Sequence, residues 1–258
     1  MSTAPLPKRP VLTTAISTGT FNEHVEAIIG LGRARTSSYV CCVNAHMTVE
    51  CRDPDFAAVV DGADLATADG MPVLKALRLF HGIPQERVAG NDLMPALLVA
   101  AARAGLSVYF YGGQGEVLDM IVARIKKEHP DLLIAGTHSP PFLPFEKMDL
   151  VADAQRIEAT GANLVMVSLG CPKQEKWMAA MKGRVNAVML GLGGAFLLYA
   201  GVDTRAPKWM RDLSLEWLYR LYLEPGRLWR RYLITNSIFM ALFSKAWLSR
   251  KYKSTTVR

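Results

Sequence analysis

Short apolar runs alternate with helical segments along most of this chain, and no other feature restricts its fold as much. The runs predict strands at residues 11–16, 39–43, 63–68, 106–111, 132–135, 163–168 and 186–190. Helices are predicted between them at residues 21–32, 47–61, 93–104, 116–128 and 146–160. Such alternation predicts βαβ units and a Rossmann-like α/β fold, with a mainly parallel sheet covered by helices on both faces.

Glycine-bearing turns follow three of the predicted strands, at Gly112, Gly170 and Gly193. Parallel strands end at one edge of a sheet, and ligands of open α/β sheets bind outside that edge. We therefore expect the three turns to form one crevice that accepts a nucleotide or nucleotide sugar. The G-G-Q-G turn at residues 112–115 does not complete G-x-G-x-x-G, because Leu118 takes the third position, so a redox dinucleotide is disfavoured.

Residues 165–177, V-M-V-S-L-G-C-P-K-Q-E-K-W, predict a strand, a turn at Gly170 and a helix that begins at Pro172. The N-terminus of a helix offers unpaired N–H groups and the positive end of its dipole, which suit a diphosphate. Three long polar residues crowd the first turn of this helix, namely Lys173, Gln174 and Glu175. A purely structural turn has no use for them, which favours a functional loop.

Two charged residues stand near other predicted strand ends. Asp69 follows the predicted strand 63–68 and precedes Gly70 and a helix. It either caps that helix or faces the ligand crevice, and the sequence leaves both open. Arg87 precedes the predicted helix 93–104, and its spacing alone favours a solvated surface charge.

Common catalytic and metal-binding motifs are absent from the sequence. It contains neither H-E-x-x-H nor G-x-S-x-G, which disfavours zinc-enzyme and hydrolase classes.

The four cysteines form no C-x-x-C pair, which indicates reduced cytoplasmic thiols. Residues 1–10 have no apolar core and predict neither a signal peptide nor an anchor. The Asp53-Pro54-Asp55 triplet has the form of a metal-binding D-x-D, but it follows no strand and predicts a helix start.

The positive charge of the chain lies in its tail. Residues 1–204 contain 18 Lys/Arg and 20 Asp/Glu, whereas residues 205–258 contain 12 and 3, which accounts for the net charge of +7. We divide the chain there, into a catalytic α/β domain at residues 1–204 and a basic, aromatic-rich helical appendage at residues 205–258. Such a tail suits nucleic acid, an anionic membrane surface or phosphates of a substrate.

The aromatic and aliphatic residues of the tail favour the membrane surface. Pro225 divides the tail into two helices, and residues 232–244 form an apolar run of 13 residues. As a helix this run is about 20 Å long, too short for the roughly 30 Å hydrocarbon core, so we expect it to lie in the interface. A helical pair docked on the sheet is the alternative. Nucleic acid is disfavoured because the aliphatic run would have no role there.

Several spaced motifs together resemble the WecG/TagA/CpsF glycosyltransferases, in order from about residue 10 to residue 235. The motifs are Asn44 after a strand, Asp69-Gly70, Arg87-Val88-Ala89-Gly90, Gly170-x-Pro172-Lys173-Gln174-Glu175, Gly193-Gly194-Ala195-Phe196, Arg205-Ala206-Pro207, Glu216-Trp217-Leu218-Tyr219-Arg220 and Glu224-Pro225. The resemblance implies a bacterial enzyme on the inner face of the cell membrane. Such enzymes transfer N-acetylmannosamine, its uronic acid or glucose from a UDP-sugar to a polyprenyl-diphosphate-linked saccharide, for surface polymers or exopolysaccharide.

The resemblance also implies roles for individual residues. Asp69 corresponds to the general base, and Arg220, Arg227 and Arg230 to arginines that fold back over the active site and hold the diphosphate. Substrate contacts are expected from Asn44, Cys42, Arg87, Asn91, Gln174, Lys173 and Glu175. Nucleotide contacts are expected from Gly112, Gly113, Gly170, Pro172, Gly193 and Gly194. The resemblance implies no metal and no cofactor. It does imply self-association into a homo-oligomer.

Two positions depart from the family pattern. Cys42 stands where the family usually has Thr, and Leu197 stands where it usually has an Asp that contacts the nucleotide. A hexose other than N-acetylmannosamine therefore becomes a plausible donor sugar. Two other functions stay open: a nucleotide- or lipid-binding regulatory module without catalysis, and an NAD(P)-dependent oxidoreductase.

Overall fold

A computed structural model describes residues 6–207, 209–210, 215–223 and 225–249 of the chain, without the side chains of residues 216, 220, 227, 228 and 231. Eight strands occur in these ranges: β1 Lys8–Val11, β2 Thr14–Ser17, β3 Ser38–Val43, β4 Leu65–Ala68, β5 Ser107–Gly112, β6 Leu133–His138, β7 Leu164–Ser168 and β8 Val188–Gly191. Six of them form one sheet in the order β4-β3-β8-β7-β5-β6. All its neighbours are parallel, which confirms the predicted sheet.

Helices cover both faces of this sheet, as predicted. One face carries α1 Phe21–Arg33, α5 Gly90–Ala104, α6 Gly115–Glu128 and α9 Ala195–Ala200. The other face carries α2 Ala45–Glu50, α3 Pro54–Asp61, α4 Met71–His81, α7 Leu150–Glu158 and α8 Lys173–Met181. The tail adds α10 Glu216–Leu223 and α11 Pro225–Leu248. Each face has its own apolar core, because the strands are buried on both sides.

The predicted strand 11–16 is divided by a turn: Val11 ends β1, residues 14–16 belong to β2, and the two strands form an antiparallel hairpin that turns at Leu12, whose φ is 56°. The hairpin lies against the β4 edge, where the Ala66 N–H donates to Ser17 Oγ at 3.0 Å. Turn and strand residues are similarly apolar here, so the sequence pattern does not show the turn that separates β1 from β2. The hairpin covers the outer strand, which would otherwise present unpaired backbone groups.

Two predicted helices are shorter than the sequence pattern indicated. The predicted helix 47–61 is two helices, because Asp53 caps the N-terminus of α3 and Pro54 occupies its first turn. This confirms that Asp53-Pro54-Asp55 begins a helix. The predicted helix 146–160 contains a 3-10 turn at Phe145–Lys147 before α7 begins, with Asp149 as its N-cap.

The last helix, α11, docks on the α/β domain through one face. Phe239 and Ala246 are buried there, and the Phe243 ring lies 5.1 Å from the Phe80 ring of α4. The other face exposes large apolar side chains, namely Trp229, Leu233, Ile234, Met240 and Trp247. Within the described ranges no helix is both long and apolar enough to cross a membrane. The tail thus combines a docked face with an apolar exposed face, and its membrane binding stays a prediction.

Replacing Gly112 with Ala is expected to destabilise the fold by about 2–4 kcal/mol. Gly112 has φ of +94°, and a Cβ there would lie 2.3 Å from the Ser168 carbonyl oxygen, so both backbone strain and a backbone clash oppose the change. Gly115→Ala is the matched control, since nothing lies within 4 Å of its Cβ position. Urea unfolding of the three proteins measures the difference, and equal midpoints would contradict this account of the turn.

Candidate active site

The carboxyl ends of five neighbouring strands form one continuous edge. Asp69 follows β4, Asn44 follows β3, Gly193 follows β8, Gly170 follows β7, and Gly112 ends β5. The three glycine turns therefore line up along one edge, as predicted from the sequence. Two strand spacings, roughly 10 Å, separate the end of β4 from that of β8.

Hydrogen bonds through Ser168, the last residue of β7, join these three turns. Its hydroxyl donates to the Gly193 carbonyl at 3.0 Å, and its carbonyl accepts from the Gly113 N–H at 2.9 Å. Gly113 in turn lies against α9, where a Cβ on it would stand 3.6 Å from the Phe196 ring. The middle of the crevice is thus a single hydrogen-bonded network rather than three independent loops.

Asp69 is half-buried and is not a helix cap. Its N–H donates to the Val43 carbonyl at 2.9 Å, which ties the end of β4 to that of β3. The N-cap of α4 is Gly70, which has no side chain, so Asp69 does not occupy the capping position that the sequence left open. Asn44 lies next to this turn, where its Oδ1 accepts from the Met47 N–H at 3.1 Å and caps α2.

The first residues of α5 close the crevice beside β4 and β8. The Val88 N–H donates to the Ala68 carbonyl at 3.0 Å, so the segment before α5 continues along β4. A Cβ on Gly90 would stand 3.5 Å from the Leu192 carbonyl oxygen, at the β8 turn. Asn91 follows on α5 and is half-buried. The N-terminus of α5 therefore spans the strand ends that hold Asp69 and the Gly193 turn.

Arg87 takes part in an ion cluster at this helix start. Its Nη2 lies 3.9 Å from Asp92 Oδ2, and its side chain is 21% exposed. The other oxygen of Asp92 accepts a hydrogen bond from Arg205, which belongs to the tail motif Arg205-Ala206-Pro207. Arg87 is thus not a solvated surface charge. Two guanidinium groups, those of Arg87 and Arg205, therefore contact the same carboxylate beside the crevice.

The first turn of α8 directs its three polar residues in different directions. Pro172 is the N-cap of α8, so the helix begins at Lys173, one residue after the predicted start. The ammonium group of Lys173 lies 4.5 Å above the exposed Phe142 ring and donates to the Leu143 carbonyl. Gln174 and Glu175 point into the protein and are 5% and 0% exposed. A direct substrate contact by Glu175 stays a prediction, and its complete burial argues against it.

Glu175 is the buried carboxyl group of this region. Its Oε1 accepts a hydrogen bond from Gln174 Nε2 at 2.7 Å. Burial raises the pKa of Glu175 to about 7, against the opposing effect of that hydrogen bond. The group therefore titrates close to neutral pH, unlike an ordinary glutamate.

Cys42 lies under the crevice, with 6% of its surface exposed. Burial, together with the Asp69 charge, raises the pKa of its thiol to about 12, so it stays protonated at neutral pH. A thiol in this state can donate only a weak hydrogen bond, as expected from its replacement of Thr. Among the described residues, no group of three His, Cys, Asp or Glu side chains could hold a metal ion.

A model of the WecG/TagA/CpsF glycosyl transferase family matches residues 9–253, almost the whole chain. The chain belongs to this family. Membership makes it a glycosyltransferase of cell-envelope polymer synthesis that acts on a sugar donor and an acceptor. The WecG/TagA/CpsF match also confirms the resemblance carried by the sequence motifs.

Within this WecG/TagA/CpsF chain, the predicted site residues of the α/β domain gather at one sheet edge. Arg220 and Arg227 lie within α10 and α11, but their side chains fall outside the described part of the structure. Arg230 is described and exposed on α11. Leu197, the second departure, lies on α9 and packs against an apolar core, so it offers no polar group to a nucleotide.

Sequence reasoning missed Asp92 and Ser168. Asp92 connects Arg87 with Arg205, which lies 113 residues further along the chain. Its position two residues after Gly90, directly before the predicted helix 93–104, was a local signal for it. Ser168 had the signal of a hydroxyl at the end of an apolar strand, next to a glycine turn.

Proposed function

We propose that this glycosyltransferase moves a hexose, either of the N-acetylmannosamine type or glucose, from a UDP-sugar to a polyprenyl-diphosphate-linked saccharide, without a metal ion. The observation that carries the proposal is the half-buried Asp69 carboxylate on the same sheet edge as the glycine turns. A nucleotide bound along those turns extends toward the end of β4. Its sugar would then lie beside a carboxylate, and the family membership supplies the reaction class.

In the proposed reaction, Asp69 removes the proton from an acceptor hydroxyl while that oxygen attacks the anomeric carbon. The new C–O bond forms as the bond from the anomeric carbon to the phosphate oxygen breaks, so the configuration inverts. UDP leaves with the bonding electrons, and its growing negative charge needs nearby cations. We assign this role to Arg220, Arg227 and Arg230 of the tail, with Arg87 in the adjacent wall.

We assign the catalytic α/β domain to residues 1–204. We assign attachment to the inner face of the membrane to residues 205–258, which also supply the arginines that hold the diphosphate. A polyprenyl acceptor remains in the bilayer, so the crevice has to work close to the membrane surface. The exposed apolar face of α11 and the basic residues of the tail support this assignment.

The decisive experiment incubates the purified chain with a panel of UDP-sugars and polyprenyl-diphosphate-linked saccharides. We expect UDP release and a lipid-linked product from one donor, with an inverted anomeric configuration by NMR and activity retained in EDTA. UDP-sugar binding without turnover across the panel would instead support the regulatory module. Binding of NAD(P) with hydride transfer would support the oxidoreductase.

A further inference from the structure

Gln174 and Glu175 form a buried pair directly behind the crevice. The amide of Gln174 lies against the β8 turn with no side chain between them: a Cβ on Gly191 would stand 3.0 Å from Nε2, and one on Gly193 would stand 3.5 Å from Oε1. Nε2 donates to the Glu175 carboxylate at 2.7 Å. The carboxylate therefore determines which end of the amide faces the Gly193 turn.

The amide oxygen of Gln174 lacks a hydrogen-bond partner. Oε1 is buried, and no donor reaches it in the part of the chain that the structure describes. A buried acceptor without a donor is uncommon in folded proteins, because it loses its hydrogen bonds to water without replacement. The unsatisfied oxygen beside the Gly193 turn therefore points to a donor group supplied by a ligand.

Hydrogen bonds from Gln174, from its own backbone N–H and from Cys171 partly stabilise the ionised form of Glu175, although burial outweighs them. Glu175 influences four buried thiols: Cys41 and Cys42 of β3, Cys51 after α2 and Cys171 before α8. Other charges also act on these thiols, namely Lys8 on Cys41, Asp69 on Cys42, Asp61 on Cys51, and Glu50 on Cys51 and Cys171. Burial raises the pKa of each thiol, so these groups stay neutral at pH 7. Burial raises the pKa of Glu175 itself to about 7, so its charge changes near neutral pH within the pocket wall.

We propose that Glu175 is a positioning residue for sugar transfer. By holding Nε2, it keeps the Gln174 oxygen toward Gly193, where this oxygen accepts a hydrogen bond from a hydroxyl or N–H group of the bound nucleotide sugar. Gly193 places no side chain over the oxygen, so a bound donor reaches it through a small displacement of the turn. The inference rests on the proposed function and adds a specific requirement to it: the bound nucleotide sugar must present a hydrogen-bond donor to the Gln174 oxygen.

Glu175→Gln tests the proposal with almost no change of shape. An amide at position 175 can donate or accept, so it no longer selects one orientation of Gln174, and we expect kcat/KM to fall by about tenfold. Activity of the unmodified chain should also decline as the pH falls through about 7, because a protonated Glu175 can donate to Oε1 and turn the amide. This part of the pH profile should be absent from Glu175→Gln. Glu128→Gln, the same change at the far end of α6, is the matched control.

A double-mutant cycle with Gln174→Leu separates positioning from simple loss of stability. If Glu175 acts through Gln174, the double variant loses no more activity than Gln174→Leu alone. Affinities for UDP and for the UDP-sugar then locate the donor group: a loss for both places it in the nucleotide, and a loss for the UDP-sugar alone places it in the sugar.

Additive losses in the cycle, or unchanged kcat/KM and pH profile in Glu175→Gln, would overturn the inference while leaving the proposed function intact. An unmodified chain that turns over no UDP-sugar would overturn the proposed function itself, and this inference with it.

Discussion

Asp69→Asn is expected to abolish sugar transfer while UDP binding stays largely intact. An amide cannot take the proton of the acceptor hydroxyl, and loss of a general base typically costs 10²- to 10⁴-fold in rate, so kcat should fall by about that factor. The substitution preserves the shape of the side chain and the backbone hydrogen bond from Asp69 to Val43. Initial rates of UDP release and calorimetric UDP affinity measure the two effects.

The matched control for this variant is Asp131→Asn, an exposed aspartate before β6 at the opposite edge of the sheet. It changes the net charge equally but leaves the crevice untouched, so its kcat should equal that of the unmodified chain. Full transfer activity in Asp69→Asn would remove Asp69 from the reaction. Loss of UDP binding together with activity would indicate a binding role instead.

Acidic substitutions on the exposed face of α11 are expected to release the protein from anionic vesicles. Trp229 and Leu233 are 55% and 61% exposed and lie one helical turn apart. Each large apolar side chain that enters the interface contributes about 1.5 kcal/mol or more, so Trp229→Glu with Leu233→Glu should lower partitioning by about 100-fold. Vesicle co-sedimentation measures the effect.

Leu133→Glu provides the control, since Leu133 is 57% exposed but lies at the start of β6, far from the tail. Its vesicle binding should match that of the unmodified chain. Equal binding by the α11 variant would show that this face does not meet the membrane. Salt sensitivity in both proteins would then assign the interaction to the basic residues alone.

The sequence predicts the sheet edge of this protein well because the relevant signals are local. A buried strand followed by glycine predicts a turn at the end of that strand, and parallel strands end at the same edge of a sheet. Gly112, Gly170 and Gly193 could therefore be placed on one edge from the sequence. The same reasoning placed Asp69 at a strand end. It could not exclude a capping role for Asp69, because that depends on backbone angles at Gly70.

Side-chain direction and long-range pairing were beyond the sequence. Lys173, Gln174 and Glu175 are consecutive and equally polar, yet burial separates them, because the rotation of α8 about its axis is set by packing against β3 and β8. Asp92 likewise pairs with Arg205 only because the chain returns to α5 after leaving β8. Neither residue type nor spacing contains that information.

The bond between Asp92 and Arg205 bears on how a tail-free version of this enzyme should be designed. A chain cut after residue 204 would lose Arg205 along with the helices, which would leave Asp92 with Arg87 as its ion-pair partner in the cluster. The freed carboxylate would then draw Arg87 away from an incoming phosphate. Retaining residues 205–207 separates the contribution of the membrane helices from an electrostatic defect introduced by the cut itself.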